Sequence, residues 1–372
     1  MKPSVVVVGA GVVGCTVAHQ LAKEGARVII IEPRAPGQGA TRASAGILAP
    51  DIEGHGSSLL RLLGRRSIGM YDDFIADVVA DSGHEIVYQR NGTFELAFSA
   101  ADVDRLEELA AALKRDRIES RWLAPAEFDA IEPHAAKNAR GALLIPIHGF
   151  VGVTALTQAA AAAAQKYGAT LVSGTGAIRI VAMPDGRAGV EAANAKWEAD
   201  RIVLAAGSWS SMITVQDADQ VPVKPIRGQL IQLESEPGAL SRVIWGPDGY
   251  LVPWPDGSVL VGSTVEDVGF DERHTDEAVA NLRAAAASLV PALAKAELTS
   301  IRTGLRPKGP DDLPMLGHSK VVPGLIYATA HYRNGVMFAP LTVKLVGDMV
   351  FGRPADPALA DLDPSRFGGV RL

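Results

Sequence analysis

The sequence predicts an α/β fold, with a parallel-sheet domain assembled from three chain segments and a mostly antiparallel domain built from the two inserts between them. Two observations predict it. Residues 4–32 pack strand, turn, helix and strand into one unit, and short buried-strand patterns return near residues 201 and 325. The stretches between them mix alternating, hairpin-like runs with amphipathic helices and carry no second glycine fingerprint. The expected division is 1–50, 141–222 and 299–372 for the first domain, with 51–140 and 223–298 forming the second.

The unit at 4–32 comes first. Val5 to Val8 is a β-branched run that reads as a buried strand. It enters Gly9-Ala10-Gly11-Val12-Val13-Gly14, then a run with helical spacing, then a second apolar strand ending on Glu32. This is the Rossmann fingerprint in its proper setting. Gly9 makes the turn, Gly11 lets the backbone approach a pyrophosphate, and Gly14 allows helix and strand to close up. The helix N-terminus presents unpaired N–H groups to that pyrophosphate. Glu32 stands roughly twenty residues on, where a carboxylate takes ribose hydroxyls and disfavours a 2′-phosphate. The unit binds an adenine dinucleotide, and its residues alone leave NAD and FAD open.

The totals exclude several classes. A chain of 372 residues with 48% hydrophobic and 21% charged residues has enough apolar content for two folded domains. A net charge of −6 speaks against a nucleic-acid partner. No apolar run approaches the roughly twenty residues of a membrane span, and nothing at the N-terminus reads as a secretion signal. Cys15, the single cysteine, allows no internal disulfide and no thiolate metal cluster, so no metal is expected and a reducing cytoplasm is. Oligomeric state stays open, a homo-oligomer included.

Beyond Glu32 lies a loop of small residues, from Pro33 through Arg42, Ala43, Ser44, Ala45 and Gly46. Its backbone donors suit a flat hydrogen-bonding ligand, and Arg42 suits a phosphate. A helical pattern covers 57–79, a hairpin is expected over 85–98 around Asn91-Gly92, and an amphipathic helix over 102–114. Strands follow at 141–147, 168–172, 177–182, 189–192 and 201–206, with a helix at 154–167. The strand at 201 ends in Ala205-Ala206-Gly207-Ser208-Trp209, which brings backbone close to whatever occupies the sheet edge. Strands at 228–234 and 243–264 include a hairpin that turns at Pro255-Asp256-Gly257. A helix at 276–293, a strand at 325–330, the segment His331-Tyr332-Arg333-Asn334-Gly335 and a helix from about Val336 to Phe351 complete the chain.

Taken together, the glycine motif, Ala43-Ser44-Ala45-Gly46, Ala205-Ala206-Gly207-Ser208-Trp209, Tyr250-Leu251-Val252-Pro253, Gly304-Leu305-Arg306-Pro307 with Asp312-Leu313-Pro314, and His331 to Gly335 resemble the D-amino acid oxidase family of FAD-dependent oxidoreductases, nearest to its glycine oxidase branch. The resemblance implies FAD, held by Gly9, Gly11, Val12, Val13, Gly14, Glu32 and Pro33 at the ADP half. Arg42, Ala43, Ser44, Ala45, Gly46, Ala205, Ala206, Gly207 and Trp209 would line the route to the flavin. His331, Arg333, Asn334, Gly335, Val336 and Met337 would stand at its ring. It implies a small amino acid substrate whose carboxylate Arg306 holds, with Tyr250 beside it and Arg333 contributing, and O2 or another electron acceptor. Covalent-flavin relatives use a His near Arg42–Ala43 or a C-terminal Cys, both missing here, so FAD is expected to be non-covalent. Trp245, Trp254 and Ile47 leave substrate size open. The expected activity is oxidative deamination of glycine, sarcosine or a small D-amino acid. The alternatives are a D-proline-like or hydroxyproline-like dehydrogenase that reduces a dye or quinone, and a non-catalytic flavin-binding subunit.

Overall fold

Strand Ser4–Val8 is central in a six-stranded sheet because both of its faces are apolar and both are covered. The computed structural model describes residues 2–53, 57–236, 238–368 and 371–372. The sheet order is Met315–His318, Leu325–Thr329, Arg201–Leu204, Ser4–Val8, Arg27–Glu32, Thr170–Ser173. Every neighbour pair is parallel except the antiparallel edge strand Met315–His318. Side chains alternate between two cores, as a period of two requires. Val5, Val7, Val28, Ile30, Ile326 and Ala328 pack with helices Val12–Lys23, Val153–Lys166 and Ala339–Phe351. Val6, Val8, Ile31, Leu204 and Tyr327 pack instead on a meander of Arg179–Ala182, Ala188–Ala192 and Ala195–Ala199. The third of these strands went unpredicted, since Ala-Lys-Trp-Glu-Ala has no β-branched residue.

Chain order reverses between Ser4–Val8 and Arg201–Leu204, where a crevice opens at the strands' carboxyl ends. There a Cβ on Gly9 would stand 2.5 Å from the Ala205 carbonyl oxygen, and one on Gly14 would stand 1.9 Å from that of Gly9. Gly9 also takes φ +108°, which side chains resist. Two glycines therefore set how closely strand, turn and helix converge.

The second sheet has eight strands, ordered Leu298–Lys308, Lys224–Leu233, Val259–Gly262, Gly249–Pro253, Val243–Gly246, Thr93–Ala97, Gly141–Ile145, Arg121–Leu123. All pairings are antiparallel except that of Val243–Gly246 with Thr93–Ala97. The hairpin turning at 255–257 forms as expected. The hairpin expected over 85–98 does not. Tyr88–Gln89 pairs with Gly149–Val151, while Thr93–Ala97 pairs with Gly141–Ile145. Gly92 turns the chain between two sheets rather than within one. Strand Gly141–Ile145, expected beside the dinucleotide sheet, pairs in this one, because a short apolar run does not name its partner; Leu298–Lys308, where a loop is expected around Arg306, is a strand and pairs here as well. The helix expected over 57–79 divides into Ser58–Ile68 and Tyr71–Ser82 at Gly69.

Alternation in this sheet also aims the site. Leu251, Val259 and Val261 face helix Asp276–Leu289. Tyr250, Val252 and Leu260 face the small-residue segment from Ala43 to Ile52. Gly14→Ala is expected to destabilise the chain by on the order of 1–3 kcal/mol through forced separation of helix and turn, seen as a lower urea-unfolding midpoint. An unchanged midpoint would mean the turn has slack.

Candidate active site

A cavity of about 550 Å³ runs from the switch point to the seam with the second sheet. Of the residues predicted for the site, it is lined by Gly9, Gly11, Val12, Val13, Glu32, Pro33, Ala43, Ser44, Ala205, Ala206, Gly207, Trp209, Arg306, His331, Arg333, Gly335 and Val336. The others stand behind it or beside it. Gly14 is a packing residue, and a Cβ on Gly46 would strike the Val151 carbonyl oxygen at 1.9 Å. Ala45 is buried among Ile47, Phe150 and Tyr250, while Met337 lies against Gly64. Arg42 is exposed and lines a neighbouring cavity that shares Ser44, Val153 and Glu272 with the first.

At the dinucleotide end the Glu32 carboxylate accepts from the backbone N–H of Ala10 at 2.8 Å and of Arg34 at 3.0 Å. It ties the glycine turn to its own strand while staying on the cavity wall. Thr41 Oγ1 accepts from the Val12 N–H at 3.0 Å. Gly11, the N-cap of helix Val12–Lys23, has no side chain to satisfy the first turn. Sequence reasoning named neither Thr41 nor Arg34 as a site residue, and their roles arise only where distant segments meet.

At the other end Arg306 projects from strand Leu298–Lys308 across Gly228. A Cβ there would come within 2.3 Å of the guanidinium. Its Nη1 donates to the Thr264 carbonyl at 2.9 Å and the Arg227 carbonyl at 3.3 Å, and Nη2 donates to Ser263 Oγ at 2.9 Å. These acceptors are all neutral. Among the described residues no ion pair includes Arg306, and desolvation pulls its pKa below the ordinary value. Tyr250 is buried and packs against Trp245 with ring centres 4.8 Å apart at a 57° tilt. Burial raises its phenol pKa, so it keeps its proton. Arg333 is partly exposed, 3.9 Å from a Glu53 carboxylate oxygen. Helix Pro50–Glu53, which carries Glu53, is anchored by Asp51, whose carboxylate accepts from Arg65 Nε at 2.8 Å and lies 3.0 Å from buried His148. Desolvation holds the His148 pKa down.

Residues 330–338 turn between strand Leu325–Thr329 and helix Ala339–Phe351. Two non-glycine residues there, Ala330 at φ +58° and Tyr332 at φ +49°, take left-handed backbone, the kind of strain that concentrates at ligand sites. The helix starts three residues later than expected, with Pro340 in its first turn. His331 is buried and Nε2 lies 3.0 Å from Thr342 Oγ1. Asn334 Oδ1 is buried with no partner among the described residues. The tyrosine hydroxyl of Tyr71 donates to the Val336 carbonyl.

The cavity suits FAD on its own terms. Its narrow end has glycines where Cβ atoms would intrude, a carboxylate faces the place of a ribose, and its far end has an enclosed cation. A profile described as FAD dependent oxidoreductase matches residues 4–349. The chain belongs to that family. The glycine oxidase of Geobacillus kaustophilus has a solved structure that superposes at a TM-score of 0.93 with 30% identity, covering 99% of this chain and 100% of that one. The glycine oxidase of Pseudomonas aeruginosa is 31% identical over 366 residues, covering 96% of this chain and 98% of that protein. The bifunctional protein ThiO/ThiG of Trichormus variabilis is 30% identical over 373 residues, 99% of this chain, which spans only 55% of that protein's length. The chain is thus a FAD-dependent oxidoreductase. Among the described residues no helix is long and apolar enough to cross a membrane, and no cluster is placed to hold a metal ion.

Burial pulls the His331 pKa to about 4 from 6.5. Between those values the unfolded chain binds a proton that the folded chain refuses, so stability rises with pH across the window and is lost as pH falls through it. The contribution is at most about 1.4 kcal/mol per pH unit. Urea midpoints measured from pH 4 to 7 should flatten in His331→Gln. An unaltered slope would place the titration elsewhere.

Proposed function

We propose that this enzyme oxidises glycine, sarcosine or a small D-amino acid and passes the electrons to O2. The observation that carries the reading is Arg306, an enclosed guanidinium with no carboxylate partner among the described residues, at the end of a dinucleotide cavity. A planar fork of donors matches an α-carboxylate in a way that a lysine would not.

Each side chain then has a task. Arg306 holds the carboxylate, and Gly228 leaves room for its guanidinium to lie flat. Tyr250, which burial keeps protonated, orients the carboxylate from the side. FAD, held without a covalent link by the glycine turn and Glu32, would supply the acceptor for the hydride on the substrate Cα. No base is required for that transfer if the amine enters neutral, and His331, uncharged and turned toward Thr342, is not placed to serve as one. Rate then rests on positioning.

Purified protein should be yellow, release FAD on acid denaturation and bleach anaerobically with glycine, sarcosine or D-alanine. Failure to bleach with any amino acid would refute the proposal, and dye reduction without oxygen uptake would reassign the acceptor. Arg306→Ala should weaken carboxylate binding by about 2–5 kcal/mol while retaining FAD, read as a raised KM at unchanged flavin content. Tyr250→Phe should cost less, about 0.5–1.5 kcal/mol. An unchanged KM in Arg306→Ala would remove this residue from the site.

A further inference from the structure

The dinucleotide end of the cavity is not closed by its own sheet alone. Residues 263–275, which follow strand Val259–Gly262 of the antiparallel sheet, reach across to it. Glu272 accepts from Arg34 Nη1 at 3.0 Å. The Arg34 guanidinium carbon in turn lies 4.2 Å from the centre of the Trp209 ring, and that ring lies 5.9 Å from Phe270. Arg34 is two residues past Glu32 and Trp209 two past Gly207, so the contact joins both sides of the switch point to the second sheet.

The crossing segment is held rather than loose. Buried Arg227 donates to the Arg273 carbonyl at 2.9 Å and pairs with Glu266, and Gln229 Oε1 accepts from the Thr275 N–H at 2.8 Å. Glu272 is therefore presented from fixed backbone. Its second oxygen, Oε1, is buried and has no hydrogen-bond partner among the described residues, although the side chain lines the cavity. A buried carboxylate oxygen on a ligand cavity wall calls for a donor from the ligand. The strand carrying Glu32 lies three places from Leu325–Thr329 in the sheet, so this wall is on the adenosine side and away from the 331–338 turn.

We propose that Glu272, Arg34 and Trp209 form a clasp over the adenosine half of the cofactor, in which Glu272 Oε1 accepts from an adenosine N–H or O–H and the Arg34–Glu272 pair parts when the cofactor exchanges. The clasp rests on the family's cofactor and not on the substrate proposed above, so either can fail alone.

The test uses the full-length holoenzyme and its deflavinated form. Release of FAD after dilution is followed by flavin fluorescence, and binding of ADP and of riboflavin 5′-phosphate by calorimetry. Glu272→Ala and Arg34→Ala should each speed FAD release and weaken ADP binding at least tenfold, leaving riboflavin 5′-phosphate affinity and the unfolding midpoint of the deflavinated chain unchanged. Asp267→Ala, on the same segment but paired outward with Lys224, should change nothing. Glu272→Gln, which keeps an oxygen acceptor and loses the charge, should fall between and carries the test if an alanine variant does not fold. Wild-type release and ADP affinity in the Glu272 variants would overturn the clasp. So would equal losses for ADP and riboflavin 5′-phosphate.

Discussion

Everything at the cofactor end depends on one backbone approach, that of Gly9 to the Ala205 carbonyl across the switch point. The two strand ends are neighbours in a parallel sheet, roughly 4.8 Å apart, so a turn between them has no room for a side chain. Gly14 repeats the constraint one helical turn on, where the helix presses on the carbonyl of Gly9 itself. The crevice, the direction of the helix and the place of Glu32 follow from this packing. Glu32 reinforces it through the N–H groups of Ala10 and Arg34.

The substrate end is organised differently. Its walls come from the antiparallel sheet, where alternation decides which side chains can face the cofactor. Tyr250 points toward Ala43 and Ile47 because Leu251 is committed to helix Asp276–Leu289. Arg306 stands on the long strand that pairs with Lys224–Leu233 and that also touches the 40–43 segment at Gly304. This strand is the seam between the two sheets, and Arg306, the residue proposed to hold the carboxylate, stands on it.

What was legible in the sequence was local. The fingerprint from Gly9 to Glu32 could be read because turn, helix and acid are all specified within thirty residues. The hairpin at 249–262 could be read because Pro-Asp-Gly sits between two alternating runs. Strand partners were not legible: Gly141–Ile145 is a short apolar run that either sheet could accept, and the polar Leu298–Lys308 does not read as a strand at all. Nor were Thr41, Arg34 and Glu272, ordinary polar residues whose roles exist only once segments more than twenty residues apart meet. Tyr250 and Arg306 were identified through family likeness rather than local pattern. Arg42 shows the limit of reading chemistry from residue type, since a cation suited to a phosphate faces a neighbouring cavity.

One pair in the seam reaches further. Gly228 and Gly304 stand directly opposite each other on adjacent strands, one beneath the Arg306 guanidinium and the other beneath Ala40 and Ala43. They make a bare floor of peptide under both the substrate grip and the cofactor loop. A side chain on either glycine would lift one of those two layers off the sheet. Under the proposed role of Arg306, variation in substrate preference is confined to the opposite wall, around Tyr250, Trp245 and Ser263, where bulk can be traded without disturbing the guanidinium. On that proposal, such an enzyme can change which amine it accepts far more readily than it can give up the acid.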